Sequence, residues 1–531
     1  MPPWRRMQLR ISQSDREHKK GIVREQSQRS GKAEAKGKDD METSKQNGTF
    51  FYRPTEAWFG DAIPFCDNGI FYIYYLYDER KTPVTADHTS WHLVSTRDFI
   101  HWEEQGEVLP AGGIEDCDQA CYTGSVIQGK DGLWHLFYTG QNPLNPGFGF
   151  EGKALQYILH AVSRDLKHWE KHYETAFRAP ESEFEPHDWR DPFVFYQEET
   201  GQYCMLLAAR LKGKSLRKSG CVAVCHSDDL WNWQKAEIFF APEMYFTHEC
   251  PDLFRKDNWW YLLYSTFTTQ FVTHYRKSRS LQGPWEMPAD DALDARGMYA
   301  IKTASDGCRR YGFGWIPTWH ENDELTWLEW GGTLAVHEID SLENGDLSVK
   351  LPETIETAFG VRKEPVCVQA GQAEVGREGL SIQTDNSSGV FFDDLPVQGL
   401  LEAEFTWTEK AMPINFGIGL HAVPGADEGY FFRFEPGYCR YVFDKWPRGD
   451  VHGEQHRMGG DIPFVPAFER PFDPAAGRAS VKLLLEEDIC ILYVNDRTAM
   501  SVRMCRRMTA WSFFVTGGKV KVTDYGWRRL R

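Results

Sequence analysis

Three features of this sequence predict an all-β chain, a five-bladed β-propeller followed by a C-terminal β-sandwich. A short unit returns five times along the chain, an aromatic strand lies upstream of each recurring phrase, and the last third changes to short alternating strands. The phrase is Ser-x-Asp-Leu-x-x-Trp. It reads Ser95-Thr-Arg-Asp98-Phe99-Ile-His-Trp102, then Ser163-Arg-Asp165-Leu166-Lys-His-Trp169, then Ser227-Asp-Asp229-Leu230-Trp-Asn-Trp233. A fourth copy, Ser278-Arg-Ser280-Leu281-Gln-Gly-Pro-Trp285, has serine in place of the acid. Trp-to-Trp steps of 67, 64 and 52 residues each suit one four-stranded sheet with its loops. The aromatic strands are Phe71–Tyr77, Leu133–Tyr138, Tyr203–Leu207 and Trp259–Tyr264, with Tyr311–Ile316 supplying a fifth. Four strands per unit at this period is the propeller signature.

In chain order, residues 1–48 form a polar, mostly basic arm whose composition predicts disorder. Met41 is a second candidate start within it. The propeller is expected over 49–360. Its blades open at Asp61, Tyr122-Thr-Gly-Ser125, Arg190-Asp-Pro192, Glu249-Cys-Pro-Asp252 and Tyr299-Ala-Ile-Lys302. The fifth closes with Trp330-Gly-Gly-Thr-Leu-Ala335 and a turn at Asn344-Gly345. One short helix is expected over Pro352–Ala358. Residues 361–531 read as the sandwich: Leu400–Trp407, Tyr430–Phe434, Ala479–Leu485 and Ile489–Val494 alternate as half-buried strands do, and Asn495-Asp496 turns into Thr498–Arg503.

Composition narrows the partners. A net charge of −17 opposes binding to nucleic acid or an anionic membrane. No run of about 18 apolar residues exists to span a bilayer, and residues 1–48 lack the apolar core of a secretory signal. Twelve scattered cysteines without a Cys-x-x-Cys pair fit a reducing compartment, so the expected location is cytoplasmic. Cys117/Cys121 and Cys221/Cys225 lack zinc-ligand partners and read as buried small apolar residues. Gly147-Phe-Gly149-Phe-Glu-Gly152 matches a dinucleotide fingerprint in letters only, because no strand–helix unit surrounds it. No metal and no cofactor are expected.

Blade-opening residues line the channel of a propeller, so Asp61, Asp191 and Glu249 are expected to converge. Paired carboxylates are what glycoside hydrolysis needs: one protonates the leaving oxygen, the other attacks the anomeric carbon or activates water. Asp98, Asp165 and Asp229 recur beside a Trp in successive blades and read as turn residues.

The ordered set of motifs resembles glycoside hydrolase family 32, the β-fructofuranosidases. Arg190-Asp191-Pro192 is similar to the family's Arg-Asp-Pro motif, and Glu249-Cys250 to its Glu-Cys motif. His101-Trp102-Glu103, Asp118–Ser125, Asp294–Ala300, Gly314-Trp315, Trp330–Leu334 and Leu492–Asp496 resemble further family segments in the same order. The resemblance implies that Asp61 is the nucleophile, Glu249 the acid/base and Asp191 a transition-state stabiliser. Arg190, Trp58, Ser125 and Trp315 are the substrate-binding candidates, and the partner is a small carbohydrate. The implied reaction is retaining cleavage of β-fructofuranosidic bonds, in sucrose, a fructo-oligosaccharide or a related small glycoside, with carboxyl groups about 5–5.5 Å apart.

One segment departs from the family. Its members usually carry Asn-Asp-Pro-Asn-Gly around the nucleophile, whereas Gly60 precedes Asp61 here and Ala62-Ile63-Pro64 follows. Two alternatives stay open at this level: an inverting arabinanase- or xylosidase-type propeller with Asp61 as general base, and a carbohydrate-binding propeller without turnover.

Overall fold

Each of the five blades is built from consecutive chain. In the computed structural model, blade I comprises Trp58–Asp67, Ile70–Asp78, Ser90–Thr96 and Glu103–Leu109. Blade II comprises Ala120–Gln128, Trp134–Gln141, Gln156–Ser163 and Glu170–Lys171. Blade III comprises Phe184–Gln197, Gln202–Leu211, Gly220–Ser227 and Glu237–Phe240. Blade V comprises Tyr299–Ser305, Arg310–Trp319, Leu328–Ser341 and Leu347–Lys350. The described residues are 49–531 apart from 81–88, 325, 377–378, 424–427, 447–467 and 506; the arm 1–48 lies outside them.

Blade IV departs from the four-strand expectation. Its sheet has three strands, Glu249–Lys256, Trp259–Thr266 and Val272–Ser278. Single bridges at Lys277–Glu286 and His274–Ala292 stand where the fourth strand would pair. Pro284 and Pro288 fall in this stretch, and a proline has no N–H to give a ladder.

The recurring phrase ends the third strand of blades I to IV. Ser163 and Ser227 accept the amides two and three residues on, and Asp165 and Asp229 do the same for the next turn. This local bonding holds Leu166 and Leu230 at φ 66° and 68°. In blade I the hydroxyl is Thr96 rather than Ser95, because one extra residue separates Ser95 from Asp98. The repeat tryptophans join blades: Trp169 packs on Tyr74 of blade I at 5.9 Å, and Trp233 on Phe137 of blade II at 5.4 Å. Large rings at these joints supply contact area over wedge-shaped gaps.

The ring closes without exchanging a strand. Phe59 of blade I pairs with Gly332 of blade V, and Tyr52 bridges Leu334. A helix, Glu353–Ala358, then leads into the sandwich. There the strand Trp511–Arg528 serves both layers: its first half pairs with Asn415–Val423, and its second with Gln398–Thr406. Gly517 and Gly518, at φ 53° and 136°, allow the change of direction between the halves.

Residues Phe50–Arg531 form one compact unit, with the sandwich bonded into blade V. Asp294, fully buried, accepts the Ala295 and Ser501 amides on one oxygen and His337 Nε2 and Ser501 Oγ on the other. His337 Nδ1 meets Tyr493 of the sandwich at 3.0 Å. Arg503 donates to the Pro317 carbonyl and to Thr333 Oγ1 at 2.9 and 2.7 Å. Buried polar groups of this kind are costly once a partner is lost. Asp294→Ala is therefore expected to destabilise the protein by about 3 kcal/mol or more, read as a lower urea midpoint. A midpoint equal to that of the parent would show that the network does not couple the two parts.

Candidate active site

A β-bulge interrupts the innermost strand of every blade at the same level. The register shifts between Phe59 and Ala62, Tyr122 and Gly124, Arg190 and Phe193, Glu249 and Asp252, and Tyr299 and Lys302. A bulge turns its strand and re-aims the local side chains. Asp61, Thr123 and Asp191 lie within the shifted steps, and Glu249 and Tyr299 bound theirs. Asp191, Cys250 and Ala300 take left-handed φ of 59°, 48° and 53°, which non-glycine residues rarely adopt.

Hydrogen bonds between neighbouring blades hold these bends. Thr139 Oγ1 of blade II accepts the Asp191 amide at 2.8 Å, and Asp191 Oδ2 accepts the Cys250 amide at 2.9 Å. Thr273 Oγ1 of blade IV accepts the Ile301 amide at 3.0 Å. A second tier lies one step along: Ser125 Oγ accepts the Val194 amide at 2.9 Å, and Asp252 Oδ2 accepts the Thr303 amide.

Asp61 is gripped on both oxygens. Thr123 Oγ1 donates to Oδ2 at 2.6 Å, and Trp315 Nε1 donates to Oδ1 at 2.8 Å. An indole N–H only donates, so Oδ1 must be an acceptor. Burial pushes the Asp61 pKa up, the Thr123 and Trp315 bonds pull it back, the charge of Asp191 raises it and that of Lys302 lowers it. Glu249 receives Arg190 Nη2 at 2.9 Å and the Tyr299 hydroxyl at 2.7 Å. Burial pushes its pKa up to about 7; the Asp191 charge adds to this, and Arg190 and Tyr299 oppose it. Arg190 also donates to Asp188 and Thr247, and Asp188 in turn binds Arg210. The fork of Arg190 is thereby fixed against Glu249.

The channel thus brings Asp61, Asp191, Glu249, Arg190 and Trp315 together. Trp315 is fully buried, so its part is the bond to Asp61 rather than an open stacking face. The Ser125 hydroxyl joins blade II to blade III. Trp58 lies at the start of the Asp61 strand, with the guanidinium groups of Arg53 and Arg80 over its ring at 4.8 and 4.7 Å. Sequence reasoning assigned no role to Thr123, Tyr299, Asp188 or Lys302. Thr123, Tyr299 and Lys302 fall in the blade-opening segments it had located, which was the available signal.

Below the acids, Lys302 Nζ of blade V donates across the channel to the Gly124 carbonyl of blade II at 2.8 Å. The side chain is 2% exposed, so the channel is bridged at this level.

Residues 52–348 match the family described as glycosyl hydrolases family 32 N-terminal domain. The chain is 26% identical over 357 residues to sucrose-6-phosphate hydrolase of Escherichia coli, covering 60% of this chain and 70% of that one. It is 26% identical over 310 residues to a probable sucrose-6-phosphate hydrolase of Vibrio cholerae, covering 51% and 54%. The crystal structure of exo-inulinase from Aspergillus awamori superposes with a TM-score of 0.70 at 17% identity, over 91% of this chain and 98% of that one. The propeller-plus-sandwich fold is shared with that enzyme, and the chain belongs to glycoside hydrolase family 32.

Proposed function

We propose that this protein hydrolyses β-fructofuranosidic bonds by a retaining double displacement. The observation that carries the reading is the convergence of Asp61, Asp191 and Glu249 from three blades on one hydrogen-bonded cluster. Asp61 has donors on both oxygens, which suits an anion that attacks the anomeric carbon. Glu249 is held near pKa 7, which suits an acid that gives its proton to the leaving oxygen and then takes one from water. Asp191, fixed by its own amide and by that of Cys250, is placed to bind sugar hydroxyls and to favour the oxocarbenium-like transition state. A channel bridged by Lys302 favours removal of terminal units from sucrose, a fructo-oligosaccharide or a related small glycoside.

The glycone site has a local peculiarity. A Cβ at Gly60 would collide with Trp330 Cη2 and lie 2.8 Å from Leu76 Cβ and its carbonyl oxygen. Trp330 packs edge-on against Trp315 at 6.0 Å, and Trp315 holds Asp61. The wide indole therefore occupies space beside the nucleophile strand, where the family resemblance places an asparagine. This favours a glycone recognised more by the Trp330 wall than by a side-chain amide at position 60.

Three outcomes test the reading. With sucrose and inulin- or levan-type oligosaccharides, Glu249→Gln is expected to lose about 10³-fold in kcat/KM, and Asp61→Asn at least as much. The first fructose released should keep the β configuration by NMR, whereas inversion would make Asp61 a general base. No release by the parent from any of these sugars would overturn the assignment.

The Glu249 carboxyl must be protonated to act as an acid, so kcat/KM is expected to fall as pH rises through about 7. For stability the sign is the same: a carboxyl whose folded pKa lies above its unfolded value stabilises most below the unfolded value. That contribution is lost as pH rises from about 4.5 through about 7. Glu249→Gln should flatten this part of a stability–pH profile; an unchanged slope would place the titration elsewhere.

Gly60→Ala is expected to displace Trp330 and destabilise by about 1–3 kcal/mol, with kcat/KM reduced and partly restored by adding Trp330→Ala. If Gly60→Ala leaves both thermal unfolding and kcat/KM unchanged, Trp330 does not set the space at this position.

A further inference from the structure

Lys302 is a buried cation that the acid/base pair does not account for. It follows the bulge of blade V, two residues beyond Ala300, and reaches across the channel to blade II. Its Nζ donates to the Gly124 carbonyl at 2.8 Å and lies 5.3 Å from the centre of the Phe193 ring. Gly124 follows Thr123, whose hydroxyl grips Asp61 Oδ2 at 2.6 Å. The ammonium is therefore tied to the backbone directly after Thr123, a donor to the nucleophile candidate. No rotamer change swings it away without breaking that bond and exposing a charge to an apolar wall.

The titratable groups facing Asp61 from the neighbouring blades are Asp191, the Cys250 thiol, the Tyr299 hydroxyl and Lys302. Lys302 is the cation among these groups, since Arg190 is engaged by Glu249, Asp188 and Asp191. Lys302 also faces Asp252, whose Oδ1 lacks a hydrogen-bond partner and whose Oδ2 takes the Thr303 amide; Arg310 stands beside Asp252 as well. In a low-dielectric channel a fixed cation acts strongly on an anion nearby.

We propose that Lys302 is the positioning residue of the nucleophile: its ammonium braces the Gly124–Ser125 peptide, next to the Thr123 that grips Asp61, and so holds Asp61 for attack. The inference rests on the fructosidase reading for its kinetic consequence and on the Lys302–Gly124 and Thr123–Asp61 bonds for the positioning of Asp61. Without Lys302, Asp61 would lose the cation that acts on it beside Asp191, which Arg190 pairs at 3.7 Å, and would ionise only at higher pH.

The test is the pH dependence of Lys302→Met, alongside Lys302→Met/Asp252→Asn, which removes the two opposite charges together and guards against simple misfolding. The acid limb of the kcat/KM profile is expected to move up by about one unit in both variants, with kcat falling more than KM changes. A second readout does not need turnover: the infrared carboxyl band assigned to Asp61, by difference against Asp61→Asn, should titrate at correspondingly higher pH. An acid limb and infrared titration that overlay the parent's, in a folded variant, would reduce Lys302 to a structural brace and overturn the proposal. If the parent releases no fructose, the fructosidase reading fails, and the infrared titration still decides the role of Lys302.

Discussion

Everything in the channel depends on a bend in each innermost strand. A regular strand would send successive side chains alternately to the two faces of its blade, towards the neighbouring sheets. The bulge turns the chain where the blade meets the axis. Three of the five bends require left-handed backbone at Asp191, Cys250 and Ala300, each costing about 1–3 kcal/mol. Such conformations persist when the surroundings over-determine them. Here the surroundings are the hydroxyls and carboxylates of adjacent blades, which accept the amides freed by the bends.

The same interactions therefore make the fold and prepare the chemistry. Asp191 accepts the Cys250 amide, which fixes the backbone next to Glu249, and its charge raises the pKa of both Asp61 and Glu249. Thr123 lies in the bulge of blade II and donates to Asp61. Arg190 belongs to blade III yet orients the carboxyl group of blade IV. The sandwich reaches the site indirectly: Arg503 bonds the Pro317 carbonyl, two residues beyond the tryptophan that holds Asp61. The two carboxyl groups meet different partners, Asp61 the neutral donors Thr123 and Trp315, and Glu249 one guanidinium and one phenol, and it is burial that raises Glu249 against the pull of both.

Much of the fold was legible because it is periodic. The Ser and Asp of the Ser-x-Asp-Leu-x-x-Trp phrase bond the amides of their own turn, so its meaning as a turn travels with the local sequence. Its one misreading, Ser95 for Thr96, came from matching the residue type rather than the two-residue step to the acid, which Thr96 keeps. The missing fourth strand of blade IV had a local sign, Pro284 and Pro288, which carried less weight than the repeat. The substrate-binding candidates fared unevenly for a related reason. Trp315 and Ser125 were placed on the right strands, but a residue type does not say whether its polar atom meets a sugar or a neighbouring blade.

By itself the sequence determined the repeat, the all-β architecture and the segments whose first residues reach the axis, because these follow from local turn chemistry and alternation. It also carried the family motifs that lead to Asp61, Asp191 and Glu249. Only the tertiary structure decided which groups touch those acids. Thr123, Trp315, Tyr299 and Lys302 come from blades distant in sequence, and Trp330 takes the space that Gly60 leaves. Protonation, positioning and pocket shape depend on distances across the channel, and those distances exist only once five bent strands have closed into a ring.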